Sequence, residues 1–429
     1  MALRADPLLY RPATEVFAAF AHEPMALLLD GEHGNGISYL AIRPSEVIRA
    51  FPGDYNPLAW CAARCRPSML PMLEGIPAFQ TGWAGLWHYE AGCGKEHIPH
   101  RHDADAPWIS LGYYPVVAAF DAKQQKSWLI YDNTDQNHKN YCIIKEKFQN
   151  PVPIVAHTIG TLSFKRISKP FEPLVEQAIE YIKAGDMYQV NLAQRWEAPL
   201  PNTFHPYAAF LHLRGVNPAP FAAFMNTGHM IIACLSPEEF LHSDGGSITT
   251  RPIKGTAPRG SDPAALTAST KNRAENLMIV DLLRNDLAQC CAPGSVRVPD
   301  LCALETHPSV HHLVSTITGT LAPGVTAIDA FAAAFPGGSI TGAPKIRAMQ
   351  IIHELEDAPR RAYCGSIGFA STTGHLHTNI AIRTVQFYEG KAVVWGGSGI
   401  TSGSDAGDED TECFQKVENL LRTLGTVGR

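Results

Sequence analysis

Apolar side chains recur every three to four positions in three segments, and each segment is predicted to be an amphipathic helix. These segments cover residues 172–184, 271–289 and 408–424. In the first segment, Val175, Ile179 and Ile182 form one apolar stripe. Gly185 follows that stripe as a helix stop, and Gly425 stands in the same position after the last helix.

Alternation of apolar and polar side chains predicts β-strands elsewhere. Over residues 187–196, apolar residues alternate with the amides of Gln189 and Asn191, which gives the strand one amide-bearing face. A second strand is predicted over residues 247–253 and passes into Lys254 and Gly255. Shorter strand-like runs, separated by turn signals, cover residues 25–29, 37–42 and 128–131. Two prolines within residues 149–153 predict a boundary between an N-terminal and a C-terminal portion.

The composition excludes several classes of protein. With 45% hydrophobic and 18% charged residues in 429, it is typical of a globular chain. The formal net charge of −6 gives no overall attraction to nucleic acid or to an acidic membrane. No apolar run is long enough to span a bilayer, and the first residues lack the apolar core of a signal peptide. We therefore expect a cytoplasmic protein with neither a nucleic-acid nor a membrane partner.

Three glutamates in the helical segments are candidate metal ligands. Glu275 shares a stripe with Met278, and a carboxylate there is costly unless it is paired or binds a metal. A stripe that bends away from the core explains Glu275 equally well. Glu409 and Glu412 project from one face of the last helix, after the glycine-rich residues 396–400. Such carboxylates suit Mg²⁺, although acidic first turns also simply complement the helix dipole.

Lys254 and Glu238 are candidate catalytic groups. Lys254 lies where a predicted strand meets a glycine turn, and the nearby cations Arg251 and Arg259 would favour its neutral, nucleophilic form. A solvated surface lysine is the more common interpretation of such a position. Glu238 follows an apolar stretch and a Ser-Pro pair, so a turn could aim it inward as a general acid. The same residues also suit the first turn of a helix.

A series of motifs then gives the chain a specific resemblance; they are AGDMYQVNLAQR, SPEEF, RPIKGTAPRG, RAENLMIVDLLRNDL, HHLVSTITG, PGGSITGAPK, AIRT and GGSGI. In this order they resemble those of the chorismate-utilising enzymes, which include anthranilate, aminodeoxychorismate, isochorismate and salicylate synthases. The resemblance is strong over residues 165–425, the expected catalytic portion, and weaker over the N-terminal portion, residues 1–153. It implies an α+β fold in which two orthogonally packed, largely antiparallel β-sheets are flanked by helices in a single globule with intertwined portions.

Two positions select a branch of this family. Isochorismate and salicylate synthases carry a lysine that activates water where this chain has Gln189. Anthranilate synthases typically have alanine where this chain has Lys254, and lysine there is the mark of aminodeoxychorismate synthases. The resemblance therefore implies amination of chorismate at C4 to give 4-amino-4-deoxychorismate, which precedes p-aminobenzoate in folate synthesis. An anthranilate synthase component I and a non-catalytic chorismate-binding subunit are the alternatives.

The resemblance also implies a role for each candidate. Lys254 would add to C2 of chorismate, and Glu238 would protonate the departing C4 hydroxyl group. Glu275 and Glu412 would ligate Mg²⁺, with Glu409 acting through water, and the metal would hold the ring carboxylate. The residues expected to bind the substrate or line its pocket are Arg383, Lys416, Gly397, Ser398, Gly399, His312, Thr341 and Gln189.

Some residues depart from the family pattern. Asn272 stands where the family often has an acid, which predicts somewhat weaker affinity for Mg²⁺. Asp30 and Gly31 replace the acid–serine pattern of the family's tryptophan site, so the resemblance does not extend to tryptophan regulation. Cys93, in a segment of strand and turn signals, only superficially resembles a glutaminase nucleophile. A glutamine amidotransferase on a separate chain is therefore the expected partner and source of ammonia.

Overall fold

The computed structural model describes residues 2–53, 55–99, 106–132, 138–150, 160–306 and 310–428. The helices in these residues are α1 (Ala13–Phe17), α2 (Pro57–Arg64), α3 (Glu90–Lys95), α4 (His138–Gln149), α5 (Phe171–Lys183), α6 (Pro206–Val216), α7 (Pro263–Ala268), α8 (Thr270–Ala288), α9 (Ala327–Ala334), α10 (Lys345–Leu355) and α11 (Ala406–Leu424). The strands are β1 (Leu3–Leu8), β2 (Leu27–Asp30), β3 (Ile37–Ala41), β4 (Glu46–Ala50), β5 (Gly82–Trp87), β6 (Ile109–Tyr114), β7 (Val116–Asp121), β8 (Lys126–Asp132), β9 (Leu162–Arg166), β10 (Gln189–Pro199), β11 (Phe221–Asn226), β12 (Ile231–Ser236), β13 (Glu239–Ser243), β14 (Ser247–Thr250), β15 (Ile253–Pro258), β16 (Arg297–Thr306), β17 (Val310–Thr320), β18 (Gly342–Ala343), β19 (Ser366–Ser371), β20 (Leu376–Asn379), β21 (Thr384–Tyr388), β22 (Lys391–Ile400) and β23 (Gly425–Val427). A 3₁₀ turn covers Gly338–Ile340.

Two β-sheets form the framework of the molecule. The first follows the strand order β1-β8-β7-β3-β2-β11-β12-β21-β22-β10-β9-β23, with β18 beside β10. The second follows the order β15-β17-β14-β13-β20-β19-β5-β6-β4, with β16 beside β17. Within the described residues, neighbouring strands run antiparallel except for the parallel pair β9 and β23. The predicted α+β fold with two largely antiparallel sheets is confirmed.

Alternation along the strands divides the apolar residues between two cores. The larger core contains residues of both sheets, such as Leu27 of β2 and Leu111 of β6. The smaller core covers the other face of the first sheet, where Leu28 joins apolar residues of α1, α6 and α11. Successive residues of β2 therefore enter different cores, which fixes the register of this strand. Among the described helices, none is both long and apolar enough to span a bilayer.

Strands from the N-terminal part of the chain are built into both sheets. In the first sheet β2 pairs with β11, so that Leu28 lies opposite Phe224. In the second sheet β5 pairs with β19, so that Trp83 lies opposite Ala370. The two portions of the chain are thus intertwined, as the resemblance implies. The boundary predicted at residues 149–153 falls partly outside the described residues.

The three predicted helices correspond to α5, α8 and α11, with ends that differ by at most two residues. Ser269 caps α8, because its hydroxyl group accepts the N–H of Asn272 at 3.3 Å. Asp405 caps α11 by accepting the N–H groups of Gly407 and Asp408, each at 3.0 Å. Both caps satisfy amides that lack a partner inside the helix.

The two glycines that follow α5 and α11 act in different ways. Gly185 has a φ of +86°, the left-handed conformation expected of a residue that follows a helix. Gly425 is extended, with a φ of 171°. A Cβ atom at this position would lie 1.8 Å from the carbonyl oxygen of Leu162, so glycine permits the close approach of β23 to β9. Gly425 was correctly predicted to end the helix, but glycine is required there because of the contact between two strands.

The strand predicted over residues 247–253 is wrong in its extent. The structure divides it into β14, which ends at Thr250, and β15, which begins at Ile253. Pro252 lies in the gap, and proline has no N–H to donate to a ladder. Lys254 therefore lies inside β15 rather than at the end of a strand.

Candidate active site

Lys254 lies on a β-bulge. Lys254 and Gly255 of β15 together oppose the single residue Leu313 of β17, because the register shifts between the flanking pairs. Gly255 has a φ of +90°, which suits glycine at such a position. A bulge redirects the side chains of its strand, and here the Nζ atom of Lys254 donates to the carbonyl oxygen of Ser339 at 3.3 Å.

Glu238 lies in the link between β12 and β13. Its N–H donates to the hydroxyl oxygen of Ser236 at 3.2 Å, and its carbonyl oxygen accepts the N–H of Ile380 at 3.1 Å. The side chain is 7% exposed and is hydrogen-bonded by the side chain of Ser339. The alternative of a helix start is therefore excluded, and the inward-aimed turn is what the structure shows.

Burial shifts the pKa values of these two groups in opposite directions. Desolvation raises the pKa of Glu238, while the hydrogen bond from Ser339 and the charge of Lys254 oppose that rise. Desolvation lowers the pKa of Lys254; the charge of Glu238 raises it, and that of Lys416 lowers it further. Lys254 retains some accessible surface, but it lies deep among protein atoms, and this depth makes the net shift of its pKa downward. Both shifts favour a protonated carboxyl group beside a neutral amine.

Glu275 of α8 and Glu412 of α11 are brought near Lys254 by two separate helices. The negative charges of both glutamates raise the pKa of Lys254, so both lie within electrostatic reach of its Nζ atom. Glu412 also forms an ion pair with Lys416 at 2.6 Å. Two carboxylates that are distant in sequence thus act electrostatically on one lysine.

Glu409 has a different environment. It is 4% exposed, and its carboxylate accepts a hydrogen bond from the hydroxyl group of Ser404 at 2.6 Å. In the part of the chain that the structure describes, no three His, Cys, Asp or Glu side chains are grouped so as to hold a metal ion. A cation here would depend on Glu275 and Glu412 together with oxygen atoms of water and substrate, a donor set that suits Mg²⁺.

Gly397 and Gly399 lie in strand β22. This strand pairs with β10 through its whole length, but its ladder with β21 ends at Val394. The carbonyl oxygen of Gly397 accepts a hydrogen bond from the Nζ atom of Lys416 at 2.9 Å, so its peptide groups point away from β10. The peptide groups of Gly399, two residues further along the strand, point the same way. Within the described residues no strand pairs with β22 on that side beyond Val394, so neither N–H group belongs to a strand ladder.

The side chains of Gln189 and Asn191 cover these two glycines. A Cβ atom at Gly399 would lie 2.4 Å from Nε2 of Gln189, and one at Gly397 would lie 2.8 Å from Oδ1 of Asn191. Oε1 of Gln189 and Oδ1 of Asn191 are buried and have no donor among the described residues. A buried acceptor without a donor is costly, so the two oxygens are candidates to accept an N–H or O–H group of a ligand.

Ser398 is placed on the other face of β22. Its side chain is buried beside the thiol group of Cys413 in α11. Alternation along the strand therefore turns the Ser398 side chain away from Gln189 and Asn191. Of the glycine-rich segment, the structure groups the two glycines with the site, but not this side chain.

His312, Thr341 and Arg383 were each expected to line a substrate pocket. His312 is buried, and its Nδ1 atom lies 2.9 Å from the hydroxyl oxygen of Thr256. Thr341 is fully buried and donates its hydroxyl group to the carbonyl oxygen of Gly337 at 3.0 Å. Desolvation lowers the pKa of Arg383, and no carboxylate pairs with this guanidinium among the described residues. Such a cation is suited to binding a carboxylate of a ligand.

A cavity of about 710 Å³ adjoins the site. His312 and Arg383 line it, as does Pro237, the residue before Glu238. The side chains of Glu238 and Lys254 are directed at Ser339 instead and are not part of the cavity wall. The cavity thus reaches the expected substrate-binding residues from one side and adjoins the catalytic candidates without enclosing them.

Asp30 and Gly31 line the same cavity. The carboxylate of Asp30 forms an ion pair with Arg214 and accepts a hydrogen bond from the hydroxyl group of Ser38 at 3.1 Å. An amino group that entered the cavity would have to compete with Arg214 for this carboxylate.

Sequence reasoning did not single out Ser339 or Asn191 as site residues. Both lie in the motifs that carry the resemblance, but neither is charged, and their contacts depend on the folded chain. Asn191 could have been identified, because alternation places it on the same face of the strand as Gln189. No local pattern indicates that Ser339 contacts both Glu238 and Lys254.

The fold and the sequence together identify a chorismate binding enzyme. The sequence profile of the family described as chorismate binding enzyme matches residues 25–422, so the chain belongs to this family. It is 37% identical to aminodeoxychorismate synthase component 1 of Salmonella typhimurium over 97% of each chain. It is 41% identical to the protein of that name from Escherichia coli, over 82% of this chain and 78% of the other. The resemblance inferred from the motifs is confirmed.

A solved structure supports the fold independently. Anthranilate synthase component I from Streptococcus pneumoniae aligns with a TM-score of 0.81 at 31% identity. The alignment covers 91% of this chain and 93% of that one. The family's two-sheet architecture is therefore present almost throughout this chain.

Proposed function

We propose that this chain aminates chorismate at C4 with ammonia, giving 4-amino-4-deoxychorismate and water. The observation that carries the proposal is the position of Lys254, which is held on a bulge beside Glu238. By the motif resemblance, lysine at this position is the mark of the family's C4-aminating members. The two relatives named aminodeoxychorismate synthase component 1 support the same activity.

The substrate carries two carboxylates, and the site offers separate groups for them. The guanidinium of Arg383 and the N–H groups of Gly397 and Gly399 are suited to bind carboxylate oxygens. Lys416, held between Glu412 and the Gly397 carbonyl, adds positive charge close to the same strand. His312 and Thr341 complete the walls, with Thr341 acting as an acceptor because its proton is already donated to Gly337. Ser398 would contribute only through its backbone.

The chemical steps use the two buried groups as a pair. The neutral Nζ atom of Lys254 forms a bond to C2 while the C4–O bond breaks, and Glu238 gives its proton to the departing oxygen, which leaves as water. The proton released by the Lys254 nitrogen passes to the Glu238 carboxylate. Ammonia then bonds to C4 while the C2–Nζ bond breaks, and Glu238 returns the proton to Lys254. The surplus proton of the new C4 ammonium group restores the acid form of Glu238.

Glu275 and Glu412 would hold Mg²⁺ in this proposal, and the fit rests on their donor chemistry. Both are oxygen ligands that face the surroundings of Lys254, and Mg²⁺ commonly keeps water and substrate oxygens as its other ligands. When bound, Mg²⁺ supplies positive charge that offsets the charge of the ring carboxylate. Glu409 would act through water, because its carboxylate is buried against Ser404.

The acceptors on β10 are suited to ammonia. Oε1 of Gln189 and Oδ1 of Asn191 are buried acceptors that lack donors among the described residues, and ammonia carries three N–H groups. A glutamine amidotransferase on a second chain is the proposed source of ammonia, and the term component 1 in the relatives' names is consistent with a second component. Cys93 is not suited to this role: it is buried on α3, a short helix rather than the predicted strand and turn, and burial raises the pKa of its thiol.

The test is a product assay with purified chain, chorismate, Mg²⁺ and an ammonium salt, with and without an added aminodeoxychorismate lyase. p-Aminobenzoate that appears only with the lyase would support the proposal. Anthranilate formed without the lyase would identify an anthranilate synthase instead. This second candidate is retained because the chain is similar in structure to the anthranilate synthase component I from Streptococcus pneumoniae. No turnover in either tube, repeated with a glutaminase partner, would indicate a non-catalytic subunit.

A further inference from the structure

Arg360 lies inside the protein with its guanidinium bonded on several sides. The residue is 1% exposed. Its Nε and Nη2 atoms donate to the two carboxylate oxygens of Glu356 at 2.9 Å and 2.6 Å. Nη1 donates to the carbonyl oxygen of Ile340 at 3.1 Å, and Nη2 also donates to that of Asn191 at 2.7 Å. One side chain therefore joins an ion pair to two separate backbone segments.

Glu356 and the neighbouring rings extend this network along β10. Oε1 of Glu356 accepts the N–H of Ala193 at 3.0 Å. The guanidinium of Arg360 lies over the ring of Tyr363, 5.7 Å from its centroid. The hydroxyl group of that tyrosine would lie 2.7 Å from a Cβ atom at Gly397. The ion pair thus bonds the backbone of β10 directly, and Tyr363 connects it to the position of Gly397 on β22.

The segment Ser339–Thr341 connects this network to the catalytic candidates. Ile340 is bonded to Arg360, and the carbonyl oxygen of Thr341 accepts the N–H of Asn191 at 2.7 Å. Ser339, the preceding residue, is the hydrogen-bond partner of both Lys254 and Glu238. A shift of the Ile340 carbonyl would therefore displace the atoms that Lys254 and Glu238 contact.

We propose that Arg360 and Glu356 are positioning residues that fix Ser339–Thr341 against β10 and thereby orient Lys254 and Glu238. This inference rests on the proposed function for the roles of those two groups. A buried ion pair is a weak source of stability, because desolvation offsets much of the attraction, and apolar residues of similar volume often serve as well. The geometry of this pair supplies what apolar residues cannot, namely directed bonds to two carbonyl groups at once.

Arg360→Lys is the primary test, since lysine keeps the charge but cannot make all four bonds of the guanidinium fork. We expect kcat for aminodeoxychorismate formation to fall roughly 10- to 100-fold, as for a small misplacement of reacting groups, with a much smaller change in KM for chorismate. Arg214→Lys is the matched control, because Arg214, on helix α6, also forms a partly buried ion pair, with Asp30 of β2. The control should lose comparable thermal stability and keep its kcat.

A second measurement does not depend on turnover. The pH dependence of Lys254 modification by a small amine-reactive reagent, followed by peptide mass spectrometry, reports the surroundings of its Nζ atom. In Arg360→Lys the midpoint should move up toward that of ordinary lysines, because a displaced segment admits water. Glu356→Gln, which keeps the arginine and the side-chain volume, serves if Arg360→Lys does not fold.

The outcomes separate the two proposals. An unchanged Lys254 midpoint and an unchanged kcat in a folded Arg360→Lys variant would overturn the positioning role. A loss of kcat no larger than in Arg214→Lys would do the same. If the wild-type chain makes no aminodeoxychorismate but the midpoint still shifts, the proposed function fails while the positioning of Lys254 stands.

Discussion

Lys254 and Glu238 meet at one residue: Ser339 accepts a hydrogen bond from the Lys254 amino group through its carbonyl oxygen and hydrogen-bonds Glu238 through its side chain. Glu238 lies in the link between β12 of the first sheet and β13 of the second, and Lys254 lies within β15, so only the folded chain brings the two groups together. Burial favours the protonated carboxyl group of Glu238 and the neutral amine of Lys254, so the pair holds a single acidic proton, on Glu238. The protonation states that the proposed chemistry requires of Glu238 and Lys254 thus both arise from burial.

Removal of the Lys254 charge is expected to stabilise the fold near neutral pH. Burial lowers the folded-state pKa of Lys254 below its ordinary value of 10.5, so between the two pKa values the unfolded chain binds more protons. The stability contributed by this group is therefore complete above the unfolded pKa and is lost as pH falls through the folded pKa. Lys254→Met should unfold at higher denaturant concentration than the wild type at about pH 7, with a smaller gain at about pH 10.

The exposed residue Lys165 on β9 provides the matched control for this measurement. Lys165→Met should change stability little at either pH, because an exposed charge costs no desolvation. An equal gain at both pH values in Lys254→Met would show that improved packing, and not loss of a desolvated charge, causes the stabilisation.

Glu238→Gln is expected to slow amination by about 10²- to 10⁴-fold, the usual contribution of a general acid. The amide keeps the shape and the contact with Ser339 but has no proton of suitable acidity for the leaving oxygen. Chorismate affinity, measured by calorimetry, should change little. Wild-type turnover in this variant would move the general acid elsewhere, whereas lost affinity would indicate a binding role.

Lys254→Ala should abolish C4 amination while retaining chorismate binding. With the wild type, rapid quenching in limiting ammonia and intact-protein mass spectrometry should detect chorismate bound to the chain with loss of water, and the variant should show no such adduct. Lys165→Ala should behave as the wild type in both assays. Normal turnover in Lys254→Ala would exclude the lysine from the mechanism.

Gly399→Ala should weaken chorismate binding with little cost in stability. The added Cβ atom would lie 2.4 Å from Nε2 of Gln189, the mobile end of a side chain, so the amide must move away from the site. We expect KM for chorismate to rise roughly tenfold, as for a binding group displaced by about 1 Å. Gly403→Ala is the control, because a Cβ atom there meets nothing within 4 Å. Equal KM values in the two variants would exclude a role for this close contact.

Asn272→Asp should bind Mg²⁺ more tightly than the wild type. Asn272 packs against Gly255, beside Lys254, so the new carboxylate would add negative charge next to Glu275 and Glu412. The same charge should raise the pKa of Lys254 and move the pH–rate profile to higher pH. Asn285→Asp, which adds the same charge nearer the far end of α8, is the control for calorimetric titration with Mg²⁺. Equal affinity in wild type and Asn272→Asp would contradict the prediction.

The helices were predictable because their signals are local. The stripe of Val175, Ile179 and Ile182 lies within α5 and the stop at Gly185 follows shortly after it, so a short window of sequence contains the whole pattern. The strand predicted over residues 247–253 failed because its apolar alternation continues across Pro252, whereas the ladder does not. Apart from such a proline, strand ends depend on hydrogen bonds to distant segments, which the strand's own sequence does not show.

The sequence by itself determined the family, the α+β class and the residue types of the site. Its ordered motifs contain Glu238, Lys254 and Glu275, and the resemblance adds Glu412, without revealing any distance between them. Only the tertiary structure decided that Lys254 lies on a bulge, that Ser339 joins it to Glu238, and that Ser398 faces the other way. The physical reason is that desolvation and hydrogen bonding act between atoms brought together by both sheets. The functional group of each residue is given by the sequence, whereas its pKa and its hydrogen-bond partners are properties of the folded chain.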